Sequence, residues 1–338
     1  MKKHLKFIEF GLFCIMLVLP LRVYAQTRPA NNDAAFTFMS NTPDPDMKKV
    51  PKNITAQRQK NVPEFIRLLA EYINEKSNND FERVKKAHDW VALNIKYDTQ
   101  SFFTGRYSSQ EFDAVIKRGS GVCAGYADAF KYLCDALEIE CSVVCGYARG
   151  YGSGLFKNEN VTYSNHAWNI VTIEGKKYLI DSTWDAGHLN GRTFQASYST
   201  EYFLTDPAVF IHRHFPENTA DQLLDPPVSA EDFNNLPFLR PQFYTSFATW
   251  TDLERVTEIN AGGGFTIEFT LKPEYELVYG WYTQSGSRTG NDIFPGKRDS
   301  YRISTSNLKP GKYILRLWVR ASGSSRDLSC GEFGFEVK

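Results

Sequence analysis

The sequence predicts an α+β domain followed by an all-β domain, and three observations support this order. Apolar residues recur at helical spacing through residues 63–137, and short segments of strand composition follow from residue 141. After a proline-rich stretch at 221–241, only alternating strand patterns remain. A chain of 338 residues also fits two domains of roughly 150 residues each.

Residues 1–25 have the pattern of a secretory signal peptide. A basic start precedes an apolar run over 10–21, and small residues end at Ala25 with the spacing of a cleavage site. The run is too short for a transmembrane helix, and Cys14 lies in no lipoprotein cleavage box. We therefore expect a secreted or periplasmic protein with no transmembrane anchor after cleavage.

The composition excludes several functional classes. Hydrophobic residues make up 42% of the chain and aromatic residues 14%, which excludes a disordered protein. The chain has 39 basic and 39 acidic side chains and no basic block, so nucleic-acid binding is not expected. Residues 1–25 hold four of the basic side chains and one acidic one, so the mature chain is slightly acidic.

The α+β domain is predicted over residues 61–225, after a lead-in segment at 26–60. Its first helix begins at Pro63, and a second is capped by the polar residues 78–80. A third helix follows the glycines at 119–125 and runs to about residue 137. Strands are predicted at Cys141–Ala148, Ala167–Ile173 and Lys177–Ile180.

A linker at 226–240 is predicted to lead into a β-sandwich at 241–338. Apolar residues alternate with polar ones over 265–271, 313–319 and 333–337, with turn residues between them. The segment 308–313 resembles the turn-into-strand corner of immunoglobulin-like modules. We therefore expect an immunoglobulin-like sandwich.

Cys123 is the candidate nucleophile. Glycines lead directly into the helix that carries it in its first turn, where unpaired N–H groups and the helix dipole favour a thiolate. A lone cysteine at a helix start is more often a small buried hydrophobe, so this interpretation needs partner residues.

His166 and Asp181 are the candidate partners, on the two strands of one predicted hairpin. A two-residue turn at Glu174 and Gly175 would pair Ile173 with residue 176 and make Asp181 the diagonal neighbour of His166. A four-residue turn would place the two side chains directly opposite. Either register brings them to one face, so the carboxylate can orient the imidazole and the imidazole can take the thiol proton.

At this point the sequence resembles a known family. The segments GVCAGYADAF, NHAWNIV and YLIDSTWDAG resemble the transglutaminase-like superfamily of papain-like folds, in its bacterial kyphoscoliosis-peptidase-like branch. HDWVALNIKYD at 88–98 and YFLTDPAVFIHRHFP at 202–216 extend the resemblance over about 62–225. It implies a papain-like catalytic domain ahead of the sandwich.

The resemblance also implies roles for these residues. Cys123 would be the nucleophile, His166 the general base and then acid, and Asp181 the orienting carboxylate. The oxyanion would bind the backbone N–H of Cys123 and one side-chain donor, for which Tyr97 is the first candidate and Trp90 the second. We expect no cofactor, and since no calcium-loop pattern is present, no metal.

The expected chemistry is acyl transfer from a protein or peptide amide through a thioester. Water as acceptor would make a peptidase or amidase, which we favour, and a lysine amine would make a cross-linking transglutaminase. The alternative from another class is a non-catalytic module that binds peptide or glycan at the cell envelope. In either case the β-sandwich is a candidate contact to an envelope component.

The remaining chemistry-bearing residues have plainer interpretations. Packing is favoured for the other cysteines of the mature chain, which are Cys134, Cys141, Cys145 and Cys330. His88 is expected to be structural, His212 and His214 solvated, and Asp185 part of a turn. The glycines at 150–154 lack the Lys and helix of a phosphate loop and indicate a mobile loop beside the cleft.

Overall fold

The computed structural model of the protein describes residues 41–157 and 159–338. The predicted signal peptide and the first part of the lead-in lie outside the described residues. In the described part of the lead-in, Met47 and Ile54 are buried in the same core as the helices that follow. No helix in the described part of the chain is both long enough and apolar enough to span a bilayer.

Eleven α-helices occur in the described ranges, most of them in the first domain. They are α1 Lys52–Thr55, α2 Gln57–Lys60, α3 Val62–Glu75, α4 Asp80–Asn94, α5 Thr99–Thr104, α6 Phe112–Arg118, α7 Cys123–Ala136, α8 Ser182–Ala186, α9 Pro207–Phe210, α10 Ala230–Asn235 and α11 Pro241–Ser246.

The strands divide between the two domains. Those of the first are β1 Lys96–Tyr97, β2 Ser120–Gly121, β3 Cys141–Ala148, β4 His166–Ile173, β5 Lys176–Ile180, β6 Gly187–Asn190, β7 Thr193–Ala196 and β8 His214–Pro216. Those that follow are β9 Phe238–Leu239, β10 Phe247–Trp250, β11 Val256–Ile259, β12 Thr266–Leu271, β13 Tyr275–Thr283, β14 Ser300–Ser304, β15 Gly311–Ala321 and β16 Asp327–Val337.

The helices α3 and α4 begin within two residues of their predicted starts, and an asparagine caps each of them. The side chain of Asn61 accepts a hydrogen bond from the backbone N–H of Glu64, and that of Asn79 accepts one from Glu82. The carboxylate of Glu82 in turn accepts from the N–H of Asn78 at 2.9 Å. Both helices bury their apolar faces in one core, together with the buried face of α7.

An antiparallel sheet of order β5-β4-β3-β8 supports α7, which packs against β3 and β4. All three predicted strands of this domain are confirmed, and β8 is an addition at the edge. Ile173 pairs with Lys176, so the two-residue turn is the register that the chain adopts. Helix on one side and sheet on the other make the predicted α+β domain.

The C-terminal region is built from two sheets that share one core. One sheet has the order β10-β12-β14, and the other has β11-β16-β15-β13 with β9 added at β16. Phe269 and Ile303 of the first sheet and Leu317 and Phe335 of the second are all buried in the same cluster. Two sheets packed face to face form a sandwich, as the alternating pattern predicts.

The segment predicted as a linker, 226–240, is folded. It contains α10 and β9, and β9 pairs with β16 of the sandwich. Phe233 and Phe238 of this segment are buried. Its prolines therefore lie between short packed elements, and the segment is not a solvent-exposed linker.

Candidate active site

Cys123 is the first residue of α7, a helix of 14 residues, and its side chain is partly exposed. Burial opposes ionisation of the thiol, but the neighbouring His166 charge and hydrogen bonds from His166 and the Ala167 amide outweigh it. The pKa of Cys123 therefore lies below its ordinary value. The helix N-terminus acts in the same direction, because its free N–H groups stabilise negative charge.

His166 and Asp181 meet at the end of the hairpin. His166 is the first residue of β4, and its Nε2–H donates to Oδ2 of Asp181 at 2.7 Å. Burial lowers the pKa of His166, but the charges of Asp181 and Cys123 and hydrogen bonds to both raise it to about 10. His166 is thus an imidazolium at neutral pH, lying between the carboxylate of Asp181 and the sulfur of Cys123.

Asp181 follows β5 and is the N-cap residue of α8, which fixes one of its carboxylate oxygens. Oδ1 accepts hydrogen bonds from the backbone N–H groups of Thr183 at 3.0 Å and Trp184 at 3.1 Å. The side chain is fully buried, and burial alone would raise its pKa. The histidines His166 and His214 reverse that effect and hold the pKa of Asp181 well below its ordinary value.

His214 is the site residue that the sequence interpretation missed. It was expected in solvent, yet it is buried on β8 and its Nε2 lies 3.0 Å from Oδ2 of Asp181. His212 is also buried: its Nδ1–H donates to the carbonyl of Pro237, and its Nε2 accepts from Tyr244. The position of His214 carries no sequence signal for this contact, because β8 has three residues and pairs with a strand more than 60 positions earlier.

Of the two predicted oxyanion donors, Tyr97 is the one placed beside Cys123. Its strand β1 pairs with β2 immediately before α7, and Tyr97 lies opposite Gly121. Burial and the charge of Cys123 raise the pKa of Tyr97, so its hydroxyl stays protonated and able to donate.

Trp90 has a different environment. It is buried, with its ring 5.4 Å from the ring of Phe65 and 5.4 Å from the guanidinium carbon of Arg58. These contacts lie in the helical core, and none of those described for Trp90 involves the cleft. Trp90 was a candidate because of its position in the sequence, but it lies on the face of α4 that packs into the core.

His88 and Asp185 form a second buried polar cluster behind the site. His88 Nδ1 lies 3.0 Å from Asp89 and Nε2 lies 3.1 Å from Asp185, with all three side chains buried. The structural role expected for His88 fits this position. Asp185 lies in α8 rather than in a turn, and it accepts the N–H of Tyr202 at 3.0 Å. This cluster holds α8, whose first N–H groups bind Asp181.

The other cysteines occupy ordinary positions. All five cysteines of the described residues are unpaired, and Cys134, Cys141 and Cys330 are buried. Cys145 is exposed as a residue, but its sulfur is partly covered. This partial burial, together with nearby negative charge, raises the pKa of Cys145.

The glycine-rich loop 150–154 lies beside Trp184. A β-carbon added at Gly150 would lie 3.4 Å from the ring of Trp184. The same ring has its centroid 5.4 Å from that of His166. Trp184 therefore lies between the loop and the imidazole of His166.

One group among the described residues has the geometry to hold a metal ion. It consists of His166, Asp181 and His214, whose ligand atoms lie within 4.8 Å of one another. Hydrogen bonds already join these atoms, at 2.7 and 3.0 Å to the shared carboxylate oxygen. A metal ion would have to replace both bonds, so the arrangement fits an orienting carboxylate better than a metal centre.

The three predicted residues thus come together with complementary roles. A thiol with a lowered pKa lies in contact with an imidazolium, which a fixed carboxylate orients from the far side. This arrangement can attack a carbonyl carbon with the thiolate and then deliver the imidazolium proton to a leaving group.

Residues 67–181 match the family model described as the transglutaminase-like superfamily. The chain is 30% identical to the kyphoscoliosis peptidase of Mus musculus over 227 residues, which is 66% of this chain and 34% of that protein. The Homo sapiens kyphoscoliosis peptidase is 31% identical over 205 residues, which is 60% of this chain and 31% of that protein. The chain therefore spans about a third of the length of these relatives.

A solved structure of a proposed cysteine protease from Cytophaga hutchinsonii is also similar. It is 25% identical and covers 42% of this chain and 45% of that chain, with a TM-score of 0.28. The match to the family model includes Cys123, His166 and, at its final residue, Asp181.

Proposed function

Because residues 67–181 of this chain form a transglutaminase-like domain, we propose that the protein is a cysteine enzyme that acts on amide bonds. The observation that carries this proposal is the contact of Cys123 with His166, which Asp181 holds at 2.7 Å. A structural cysteine needs no imidazole partner, and a structural histidine needs no thiol.

The proposed reaction has two steps. The Cys123 thiolate attacks the amide carbonyl, the carbon–nitrogen bond breaks, and the departing amine takes the proton from His166. The product is a thioester on Cys123 and a neutral imidazole. Water then attacks the thioester while His166 accepts its proton, and the carbon–sulfur bond breaks to release a carboxylic acid. Tyr97 and the N–H of Cys123 are the proposed donors to the oxyanion.

Hydrolysis is the acceptor reaction that we favour. The two mammalian relatives carry the name peptidase, which supports water as acceptor. A lysine amine as acceptor would give a cross-linked protein instead. Incubation with a casein substrate and a labelled amine separates the two reactions, since only amine transfer incorporates the label.

Thiol labelling tests whether the site is reactive at all. At about pH 6, iodoacetamide with peptide mass mapping should modify Cys123 before Cys145, although Cys145 is the more exposed of the two. The reason is that the pKa of Cys123 is lowered and that of Cys145 is raised, and only the thiolate reacts. As pH rises through the lowered pKa of Cys123, its labelling should reach a plateau before that of Cys145 begins to increase.

Labelling of Cys145 first, or of both at equal rates, would count against the enzyme. A binding module at the cell envelope would then be the better proposal. If Cys123 is reactive, Cys123→Ala should abolish turnover, and Cys145→Ala is the matched control that should retain it.

We also propose export, on the strength of the pattern in residues 1–25. The protein recovered from outside the cytoplasm should have the mass of a chain that begins near Gln26. Recovery of an intact N-terminus from the cytoplasm would contradict this.

A further inference from the structure

Asp181 accepts more hydrogen bonds than a triad carboxylate needs. Its Oδ1 accepts from two backbone N–H groups, of Thr183 and Trp184, and its Oδ2 lies within hydrogen-bond distance of both His166 and His214. The role of His166 follows from the proposed reaction. That of His214 does not, because His214 has no hydrogen bond to Cys123 in the described part of the structure.

His214 is poorly suited to a packing role alone. Its ring is buried and stacks on Phe210, with centroids 3.9 Å apart, and lies 4.4 Å from the ring of Trp184. Its Nδ1 has no hydrogen-bond partner among the described residues. A phenylalanine would make the same stacking contacts without leaving a buried nitrogen unpaired, so packing does not account for the imidazole.

The tautomer of His214 follows from its surroundings. Asp181, when ionised, can only accept, so the shared contact at 3.0 Å requires the proton on Nε2 of His214. Burial lowers the pKa of His214 to about 4, against the opposing effect of Asp181, so the ring is neutral at physiological pH. It therefore gives Asp181 a hydrogen bond without adding a second cation beside His166.

The fold makes room for this contact with small residues on β3. His166 lies opposite Gly146 on one side of that strand, and His214 lies opposite Ala148 on the other. A β-carbon at Gly146 would lie 2.3 Å from the carbonyl oxygen of Phe215 and 2.6 Å from the ring of Trp168. Because Gly146 has no β-carbon, the backbone of β8 can lie this close to β3, and the rings of His166 and His214 lie 5.6 Å apart between centroids.

We propose that His214 is a positioning residue of the active site, whose Nε2–H fixes Oδ2 of Asp181 and so holds His166 in line with Cys123. The proposal deepens the proposed function and depends on it only in taking Cys123 and His166 as the reacting pair.

Two substitutions separate positioning from packing. His214→Phe keeps the aromatic ring and removes the donor. His214→Gln removes the ring and keeps an amide N–H that reaches about as far as Nε2. The readout is the rate of Cys123 alkylation by iodoacetamide at about pH 6, since this reports on the thiolate–imidazolium pair without any assumed substrate. Thermal unfolding of each variant is measured in parallel.

If His214 positions Asp181, alkylation in His214→Phe should be about tenfold slower than in the unmodified protein, and in His214→Gln within about threefold of it. Thermal stability should follow the opposite order, because phenylalanine packs better than glutamine against Phe210. Unchanged alkylation in His214→Phe would overturn the proposal, as would an equal loss in both variants. If His214→Phe does not fold, His214→Leu is judged by the same criterion.

The two proposals fail in different ways. Slow labelling of Cys123 in the unmodified protein would count against the proposed function. Fast labelling in both the unmodified protein and His214→Phe would remove only the role of His214.

Discussion

The two halves of the molecule bury very different side chains. Within the described residues, the first half buries charged or titratable groups such as Lys85, His88, Asp89, Asp181 and His214. The sandwich core consists of aliphatic and aromatic side chains with one cysteine. Burial of charge is unfavourable unless each group is paired, and in the first half these groups have partners. The candidate reactive residues all lie in this half.

A buried charged side chain of the sandwich makes the same point. Among the described residues after 240, only Arg255 is both charged and buried, and it points into the first half. Its guanidinium donates to the carbonyls of Gly154, Leu155 and Lys157, in and beside the glycine-rich loop. The buried charge of the sandwich thus binds the loop that lies beside Trp184.

The largest expected effect is on catalysis. Asp181→Asn should lower turnover by about a thousandfold or more, because the amide N–H₂ would face Nε2 of His166 and impose the wrong tautomer. The protein should still fold, since the amide oxygen can accept the N–H groups of Thr183 and Trp184. Asp135→Asn is the control, at an exposed carboxylate near the end of α7 that pairs with Lys131. Loss of activity in both variants would mean that the effect is not specific to the site.

Next in size is the removal of one buried charge. The guanidinium of Arg149 is buried, donates to Glu159 at 2.7 Å and stacks on Phe233 at 3.9 Å. Arg149→Met should destabilise the protein by about 3–5 kcal/mol, because Glu159 would remain as an incompletely compensated buried charge. Urea unfolding measures this. The double variant with Glu159→Gln should be more stable than additivity predicts, and additive losses would contradict a charge effect.

In the sandwich, a core substitution should lower the free energy of unfolding through lost packing alone. Leu317 is fully buried in the apolar core, and Leu317→Ala should cost about 2–5 kcal/mol in urea unfolding. Under native conditions the alkylation rate of Cys123 should not change. Leu93→Ala, at a leucine that is 37% exposed, is the control and should cost far less. A change in Cys123 reactivity on substitution of Leu317 would couple the two cores and weaken the comparison.

The smallest effect is expected at an exposed ion pair of the sandwich. Arg302 and Glu268 lie 2.8 Å apart, with 75% and 57% of their side chains exposed. Glu268→Ala should change the unfolding free energy by less than about 1 kcal/mol, because water screens both charges. If Glu268→Ala lowered the unfolding free energy as much as Arg149→Met, solvent exposure would not explain the difference between the exposed and the buried ion pair.

Local patterns were sufficient to predict most of the first domain. Apolar spacing correctly located α3, the polar residues at 78–80 located the start of α4, and the two-residue turn at Glu174 and Gly175 was one of the two registers considered for the hairpin. Cys123, His166 and Asp181 could be selected because each lies next to a local signal, which is a glycine-led helix start or a strand of one hairpin.

Residues that meet through long-range packing could not be located in this way. His214 follows Asp181 by 33 positions and reaches it only because β8 pairs with β3. Trp90 was considered as an oxyanion donor because of its place in the sequence, but the rotation of α4 directs it into the core with Phe65. Likewise, the prolines at 226–240 indicated a linker. Phe233 and Phe238 of this segment are nevertheless buried, because segments distant in sequence pack around them.

By itself, the sequence determined the order of the domains, the hairpin that brings His166 and Asp181 to one face in either of two registers, and the identity of the three candidate reactive residues. These depend on contacts between neighbours in the chain, where spacing and turn chemistry are decisive. Only the tertiary structure decided that Asp181 has a second histidine, that Tyr97 rather than Trp90 lies beside Cys123, and that 226–240 is packed. Each of these depends on elements distant in sequence, and their arrangement follows from the packing of the whole core rather than from any local pattern.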